Sequence, residues 1–315
     1  MRVLPLGRAT LAVTLSAVLT AACGAGTPSP SRSPSSSASV AGGSPAASGS
    51  PPERCEAGVL SNPAKGGGSD LKVRILRQQG GGPGWDIALP AASVKSFPEF
   101  TGDAKASDTS DSFARAFDEG GAFSHDGAVI ELSLYNRRSS RLTIHDIRVV
   151  NKRIVCPPEG LLFLEGNEGG GLVDLVYSLD AAAPVAHSRS ASGEISTEPY
   201  FTNDVIQVEP TDQATVQMDM SGVRFAYEFD IAIDYSVGGE SRSQLVRRRN
   251  GPFRVTTALC PRPDLRSRLS EGDVQRLKAQ RYGLVRRRLP QVDASGGFVY
   301  ENVTATEFVR SCPTW

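Results

Sequence analysis

The chain is poor in the residues from which catalytic and metal centres are usually built. It has three histidines, His125, His145 and His187, and none falls in an H-x-x-x-H or H-x-x-E pattern. Its five cysteines are scattered, without the paired C-x-x-C spacing of a zinc site. No G-x-S-x-G elbow is present. Lys and Arg together number 34, as do Asp and Glu, so the strongly basic profile of a dedicated nucleic-acid binder is missing. No uncharged apolar run reaches the roughly 18 residues that a membrane-spanning helix needs. These features argue against metal, haem and nucleotide chemistry, and no cofactor is expected.

The N-terminus reads as an address. Arg2 and Arg8 precede an uncharged stretch from Ala9 to Ala22, long enough for a signal-peptide core and too short to span a bilayer. It closes on Leu19-Thr20-Ala21-Ala22-Cys23-Gly24, which resembles a bacterial lipobox, with Thr20 where Leu is usual. The resemblance implies cleavage after residue 22 and acylation of Cys23, hence a lipid anchor on the extracytoplasmic face of the cell membrane. Two or three acyl chains hold a protein stably, since each buried methylene contributes about 0.8 kcal/mol. The alternative is a plain secretory signal, which would leave Cys23 as a stray thiol, a liability in an exported chain. Between Gly24 and Pro52, 26 of 29 residues are Ser, Pro, Gly or Ala. Such a composition cannot bury enough apolar surface to offset ordering, so residues 23–54 are expected to be a disordered tether.

Four cysteines remain in the part expected to fold: Cys55, Cys156, Cys260 and Cys312. Export and an even count point to two disulfides, with three pairings open. The preferred set is Cys55–Cys312, tying the ends, and Cys156–Cys260, because both of the latter close apolar segments and precede proline.

Period-2 alternation dominates the middle of the chain. From Val223 to Val237 every odd position is apolar. One strand of that length would span about 50 Å, so a bulge or break is expected within it. Gly238-Gly239 and Asn250-Gly251 read as hairpin turns, with Phe253–Ala258 returning after the second. Val129–Tyr135 alternates, and Leu142–Val150 switches parity near His145-Asp146, again as a bulge would require. Helices are expected at Asp111–Glu119 and at Ser270–Arg288, the latter opened by a Ser270/Asp273 capping box. The fold class that follows is mainly β: an antiparallel β-sandwich over residues 55–260, followed by a basic, partly helical C-terminal extension over 261–315.

Two stretches, "AVIELSLYNRRSSRLTIHDIRVV" (Ala128–Val150) and "FDIAIDYSVGGESRSQLVRRRNGPFRVTT" (Phe229–Thr257), carry a resemblance. With Ser178-Leu179-Asp180 and Pro184 between them, the region Ala128–Thr257 resembles an uncharacterised family of actinobacterial secreted lipoproteins. The resemblance implies an immunoglobulin-like sandwich and brings no active site.

Charge is unevenly spread. Residues 55–240 hold 15 basic and 27 acidic residues, whereas residues 241–315 hold 15 and 6. Arg247, Arg248 and Arg249, with Arg286, Arg287 and Arg288, form the stripe best placed to grip an anionic envelope polymer or phospholipid; the alternative is internal neutralisation by the acidic body. Glu228, Asp230 and Asp234 share the outward face of the long strand and are the best carboxylates for a hydrolase. Alternate strand carboxylates more commonly keep a sheet wet. Asp103, Asp108, Asp111, Asp118 and Glu119 match no calcium loop, and Gly166–Gly171 lacks the Lys-Ser/Thr and helix of a phosphate loop. The sequence therefore points to a membrane-anchored binding or interaction module, with an envelope glycan or peptide hydrolase and a transporter's solute-binding lipoprotein as alternatives. Partners are the membrane, an envelope protein or an anionic wall polymer; export argues against nucleic acid.

Overall fold

The computed structural model describes residues 69–81, 85–102, 109–165, 174–190, 192–294 and 297–315. Cys23, the tether, Cys55, Asp103, Asp108 and the Gly166–Gly171 loop lie outside the described residues.

Strands β1 (Leu71–Gly80) and β2 (Ile87–Leu89) lead to a 3-10 turn at Val94–Ser96 and helices α1 (Pro98–Thr101) and α2 (Thr109–Asp118). There follow β3 (Phe123–His125), β4 (Ala128–Asn136), β5 (Leu142–Val155), β6 (Leu161–Leu164), β7 (Asp174–Ser178), β8 (His187–Arg189) and β9 (Ile195–Pro199). After α3 (Tyr200–Asn203) come β10 (Ile206–Val208), β11 (Gln213–Ser221), β12 (Ala226–Val237), β13 (Glu240–Val246) and β14 (Phe253–Thr256). The chain ends with α4 (Pro263–Arg266), α5 (Glu271–Lys278), β15 (Leu284–Val292), β16 (Phe298–Val303) and α6 (Ala305–Ser311).

The protein is mainly β, as the alternation requires, but its sheets are mixed rather than purely antiparallel. One sheet runs β1-β4-β11-β7-β8-β9; the other runs β10-β5-β12-β14-β3-β2-β6-β15-β16, with β13 on β12. The β11/β7, β14/β3 and β15/β6 pairs are parallel. The largest apolar cluster draws on both sheets: Ile130, Leu132 and Leu134 of β4 and Val216, Met218 and Met220 of β11 meet Ile144 and Ile147 of β5 and Phe229, Ile231 and Ile233 of β12. The odd-numbered face of β12 is the inner one, which is why its alternation was so clear.

The bulge expected near His145 is present, whereas the long alternating stretch carries no extra residue: residues 223–225 form a bend, β12 runs unbroken from Ala226 to Val237, and both register shifts put the extra residue on β5. The β12/β5 register shifts between Asp234 and Tyr235, where β5 passes from Asp146 to Ile144 and leaves His145 unpaired. A second shift faces Asn151 and Lys152, with Asn151 at φ 51°. Gly238 and Gly239 close the β12/β13 hairpin at φ 60° and 85°, in the left-handed region that a two-residue turn demands. Asn250-Gly251 corrects the expectation in part: an antiparallel bridge between Arg248 and Gly251 closes a tight turn there, but β14 does not return along β13. β13 pairs with Ile231–Val237 of β12 and β14 with Tyr227–Phe229, so the two run successively along one edge of β12. Residues 247–252 are an excursion between them.

The C-terminal region corrects a second expectation. The capping box at Ser270 and Asp273 forms, but the helix stops at Lys278. Arg286–Arg288 lie on β15, which pairs with β6 and β16 and builds residues 284–303 into the larger sheet. Tertiary pairing overrides a local sequence compatible with helix. A third correction concerns the disulfides. Cys260 is bonded to Cys312, and Cys156 is bonded elsewhere, so neither preferred pairing can hold. The bond closes a 52-residue span around α4, α5, β15, β16 and α6. Near it Trp315 Nε1 donates to the Leu259 carbonyl at 3.2 Å. The pairing depends on where β15 returns the chain, which spacing does not reveal.

The corner between β3 and β4 carries the chain from one sheet to the other in two residues, Asp126 at φ 59° and Gly127 at φ 95°. Burial pushes the Asp126 carboxyl up to about 7; Arg262 opposes this, while Asp86, Asp264 and Asp219 reinforce it. Between about pH 4 and pH 7 the unfolded chain loses that proton and the folded one keeps it, so folding is disfavoured progressively across the window. Asn tolerates the left-handed backbone. Denaturant titrations of Asp126→Asn and wild type should therefore coincide most nearly near pH 4, diverge in favour of the variant up to pH 7, and keep a constant gap above it. Replacing Cys260 and Cys312 by Ser should cost about 3–4 kcal/mol in the same assay, from the loop entropy of a closure of this length.

Candidate functional site

The outward face of β12 is where the sequence offers carboxylates, and each meets a cation from a neighbouring segment. Glu228 accepts from Arg254 Nε at 2.7 Å and from Arg153 Nε at 2.7 Å. Asp230 accepts from Arg247 Nε at 2.9 Å and Asn151 Nδ2 at 2.8 Å. Asp234 accepts from Arg148 Nε at 2.6 Å. Burial alone would raise the Asp234 carboxyl, but the bond from Arg148 and one from Ser243 outweigh it and hold its pKa below the ordinary value. A general acid needs a raised pKa and a nucleophile needs free lone pairs facing a substrate. Carboxylates saturated by arginine supply neither, and this face is an ion-pair ladder.

The arginines of the stripe are largely committed to the same purpose. Arg247 belongs to the ladder. Arg248 is half-buried with its side chain largely covered, paired with Asp118 at 2.8 Å and lying 5.4 Å from the Phe117 ring. Arg249 is exposed and makes no ion pair among the described residues. Arg286 donates to the Thr101 carbonyl at 2.9 Å and sits over Tyr300. Arg287 pairs with Glu301 and approaches Phe308. Arg288 stacks 3.4 Å from the Phe298 centroid. Four strand spacings separate β14 from β15 in the sheet order, about 19 Å, so the two arginine groups do not form one stripe.

The histidines do not converge. His145 Nε2 lies 2.7 Å from Ser236 Oγ, but on an exposed strand face. Its neighbour Asp146 is bridged by Arg148 at 3.7 Å. His125 was the surprise, being buried outright. Its Nε2 accepts the Leu259 amide at 3.1 Å, Nδ1 has no partner, and burial depresses its pKa to about 3. It is a neutral core residue at working pH. Among the described residues no three His, Cys, Asp or Glu side chains cluster as metal ligands do.

One depression on the surface has a different character. On the outer face of the six-stranded sheet, Lys72, Arg74 and Leu76 of β1, Ser133 and Tyr135 of β4, and Gln213 of β11 line a groove of about 330 Å³. Register builds it row by row: Lys72, Tyr135 and Gln213 are direct cross-strand neighbours, and the next row is Arg74, Ser133 and Thr215. Lys72 and Arg74 are exposed and have no ion-pair partner among the described residues, whereas Arg77, further along β1, pairs with Glu131 at 3.2 Å. Ser133 Oγ donates to Gln213 Oε1 at 3.3 Å, leaving the amide nitrogen of Gln213 to face outward contacts. Leu76 is 44% exposed at the far end.

No family model, curated protein or solved structure matches this chain.

The groove was missed because its residues are spread over residues 72 to 213 and become neighbours only through β1/β4/β11 pairing. A local signal existed in Lys72-Val73-Arg74, two cations on one strand face without an acid between them. Ser69-Asp70-Leu71-Lys72 also has the S-x-x-K spacing of some acylating hydrolases. A helical turn brings residues three apart together; Lys72 stands instead on an extended strand, where such residues point to opposite faces.

The ladder's role is testable as stability. Glu228→Gln keeps the shape of a buried side chain but removes the charge shared by Arg153 and Arg254, and should lower the unfolding free energy by about 2 kcal/mol in urea titrations at neutral pH. An unchanged midpoint would show that the pairs contribute nothing.

Proposed function

We propose that this chain is a lipid-anchored, extracytoplasmic binding module of the cell envelope, held at the membrane by acyl chains on Cys23 and acting without a covalent step. The observation that carries the binding reading is the contrast between two sheet faces. On one, Glu228, Asp230 and Asp234 are neutralised by arginines of the chain itself; on the other, a groove is lined by two cations, a tyrosine, a serine and an amide, and the cations have no ion-pair partner among the described residues. Arg249 and several other exposed cations are likewise without an ion pair among the described residues; what sets Lys72 and Arg74 apart is that they line one groove with Tyr135, Ser133 and Gln213.

The anchoring part rests on the charged n-region, the short apolar core and the Ala21-Ala22-Cys23 junction, together with the resemblance over Ala128–Thr257 to secreted actinobacterial lipoproteins. Within this reading the two sheets that share one core are an elaborated immunoglobulin-like sandwich, to which β2, β3, β6, β15 and β16 add a second, mixed half-sheet. Among the described residues no helix is long and apolar enough to cross a membrane. A hydrolase would need carboxylates free of arginine at a substrate groove, and Asp126, whose pKa burial raises, does not line the groove described above; a solute-binding lipoprotein would ordinarily carry alternating strands and helices, whereas this chain is mainly β.

The anchor is tested by expression of Cys23→Ala in a Gram-positive host. The variant should pass from the membrane fraction to the medium; retention in the membrane would refute lipidation at this residue.

A further inference from the structure

We infer that the groove over β1, β4 and β11 binds an acidic sugar unit of an anionic saccharide, its carboxylate or phosphate held by Lys72 and Arg74 and its ring lying against Tyr135. This deepens the binding-module reading and rests on it.

The geometry selects the ligand class in three steps. First, Lys72 and Arg74 are two residues apart on one strand, so their side chains leave the same face about 6.8 Å apart, a spacing that can bracket one anionic group. Among the described residues no acidic side chain lines the groove, so a bound anion meets attraction there without a competing carboxylate. Second, the rest of the lining is that of a sugar site. Tyr135, half-buried, supplies an aromatic ring; Gln213, its Oε1 held by the buried Ser133 hydroxyl, keeps its amide nitrogen for a ring hydroxyl; Leu76, exposed, adds an apolar contact. A simple inorganic anion would leave most of these contacts unused. Third, β1 is the outermost strand of its sheet, so the groove is not walled off beyond it. Its 330 Å³ is at the low end for small-ligand sites, which suits one unit of a longer chain that continues past the edge.

A membrane surface is the weaker occupant. Two cations in a depression add little to a membrane contact that acyl chains already secure, and the tyrosine, serine and amide have no role in it.

The test is calorimetric titration of the full chain in non-ionic detergent with two acidic saccharides, an oligogalacturonate carrying carboxylates and a phosphorylated mannose oligomer. Controls are a dextran oligomer of equal length, inorganic polyphosphate and phosphatidylglycerol vesicles. At least one acidic saccharide should bind, and which one it is assigns carboxylate or phosphate as the anionic group. Lys72→Gln and Arg74→Gln should each weaken binding about tenfold, and Tyr135→Ala should weaken it at least fivefold without changing its salt dependence. Dextran should not bind. The glutamine variants change exposed side chains, and unfolding temperatures equal to wild type would show that their loss is local. Binding of neither saccharide, binding unchanged in the glutamine variants, polyphosphate binding as tight as either saccharide and indifferent to Tyr135→Ala, or binding to vesicles alone would each overturn the inference. The anchor is read separately by fractionation of Cys23→Ala. Failure of both saccharides with the wild type retained in membranes would remove this ligand class and leave the anchored-module reading intact.

Discussion

The fold turns on a central strand that carries carboxylates on its outer face. β12 is apolar on the side that faces the core and acidic on the other, and three carboxylates in seven residues repel one another unless each is matched. The matching cations come from different places: Arg148 and Arg153 from β5, Arg254 from β14 and Arg247 from the excursion before it. Each pair therefore joins β12 to a neighbour. Part of the basic excess after residue 241 is met in this way, by Arg242, Arg247, Arg248 and Arg254 pairing with acids that precede it. The excursion at residues 247–252 is where the chain gives up regular pairing to deliver Arg247 and Arg248 to their acids.

A second set of polar residues fixes the passages between sheets. Asn136, fully buried, donates to the Ser140 and Val208 carbonyls at 2.9 and 3.0 Å and accepts the Arg138 amide, so the β4-to-β5 passage is clamped to the approach to β11. Asp180 accepts the amides of Val223 and Arg224 and the Tyr227 hydroxyl, and Lys152 donates to the Leu179 and Ala181 carbonyls from the bulge in β5. Unpaired backbone groups at such corners would be costly once buried. Asn136 and Asp180 are thus residues of passage and clamp.

What could be read in advance follows the range of the interactions involved. The inner face of β12, the Gly238-Gly239 turn, the bulge at His145 and the Ser270/Asp273 box are set within a few residues, and the sequence pattern contains them. The parallel pairs are not local. β3 and β14 stand over a hundred residues apart, and nothing in Phe123-Ser124-His125 indicates that Val255 and Thr256 lie beside it. The same reason hid the burial of His125, whose environment is built from β14 and Leu259, and the Cys260–Cys312 bond, which depends on the return of the chain through β15. The arginines were visible as charge, but whether an arginine is available depends on which acid the fold brings to it. Sequence could count them and could not assign them.

The position of the groove gives this asymmetry a mechanical meaning. β1 follows directly on Asp70, whose carboxylate is fully buried and is held by Arg138 and Arg242, with the Tyr235 hydroxyl donating to it at 3.3 Å. Burial would raise this carboxyl; the two guanidinium groups outweigh it and keep its pKa below normal, so the tie persists throughout the neutral range. Arg138 comes from the β4-to-β5 passage and Arg242 from β13, so the point where the chain enters β1 is fastened to both sheets at once. Lys72 stands two residues beyond that fastening. A ligand pulling on the groove would load a strand whose first residue is already pinned across the core, and the load would pass into the sheets instead of peeling an edge strand away. An edge strand is held by a neighbour on one side only and opens more readily than a central one; here the buried carboxylate just before its start ties it down.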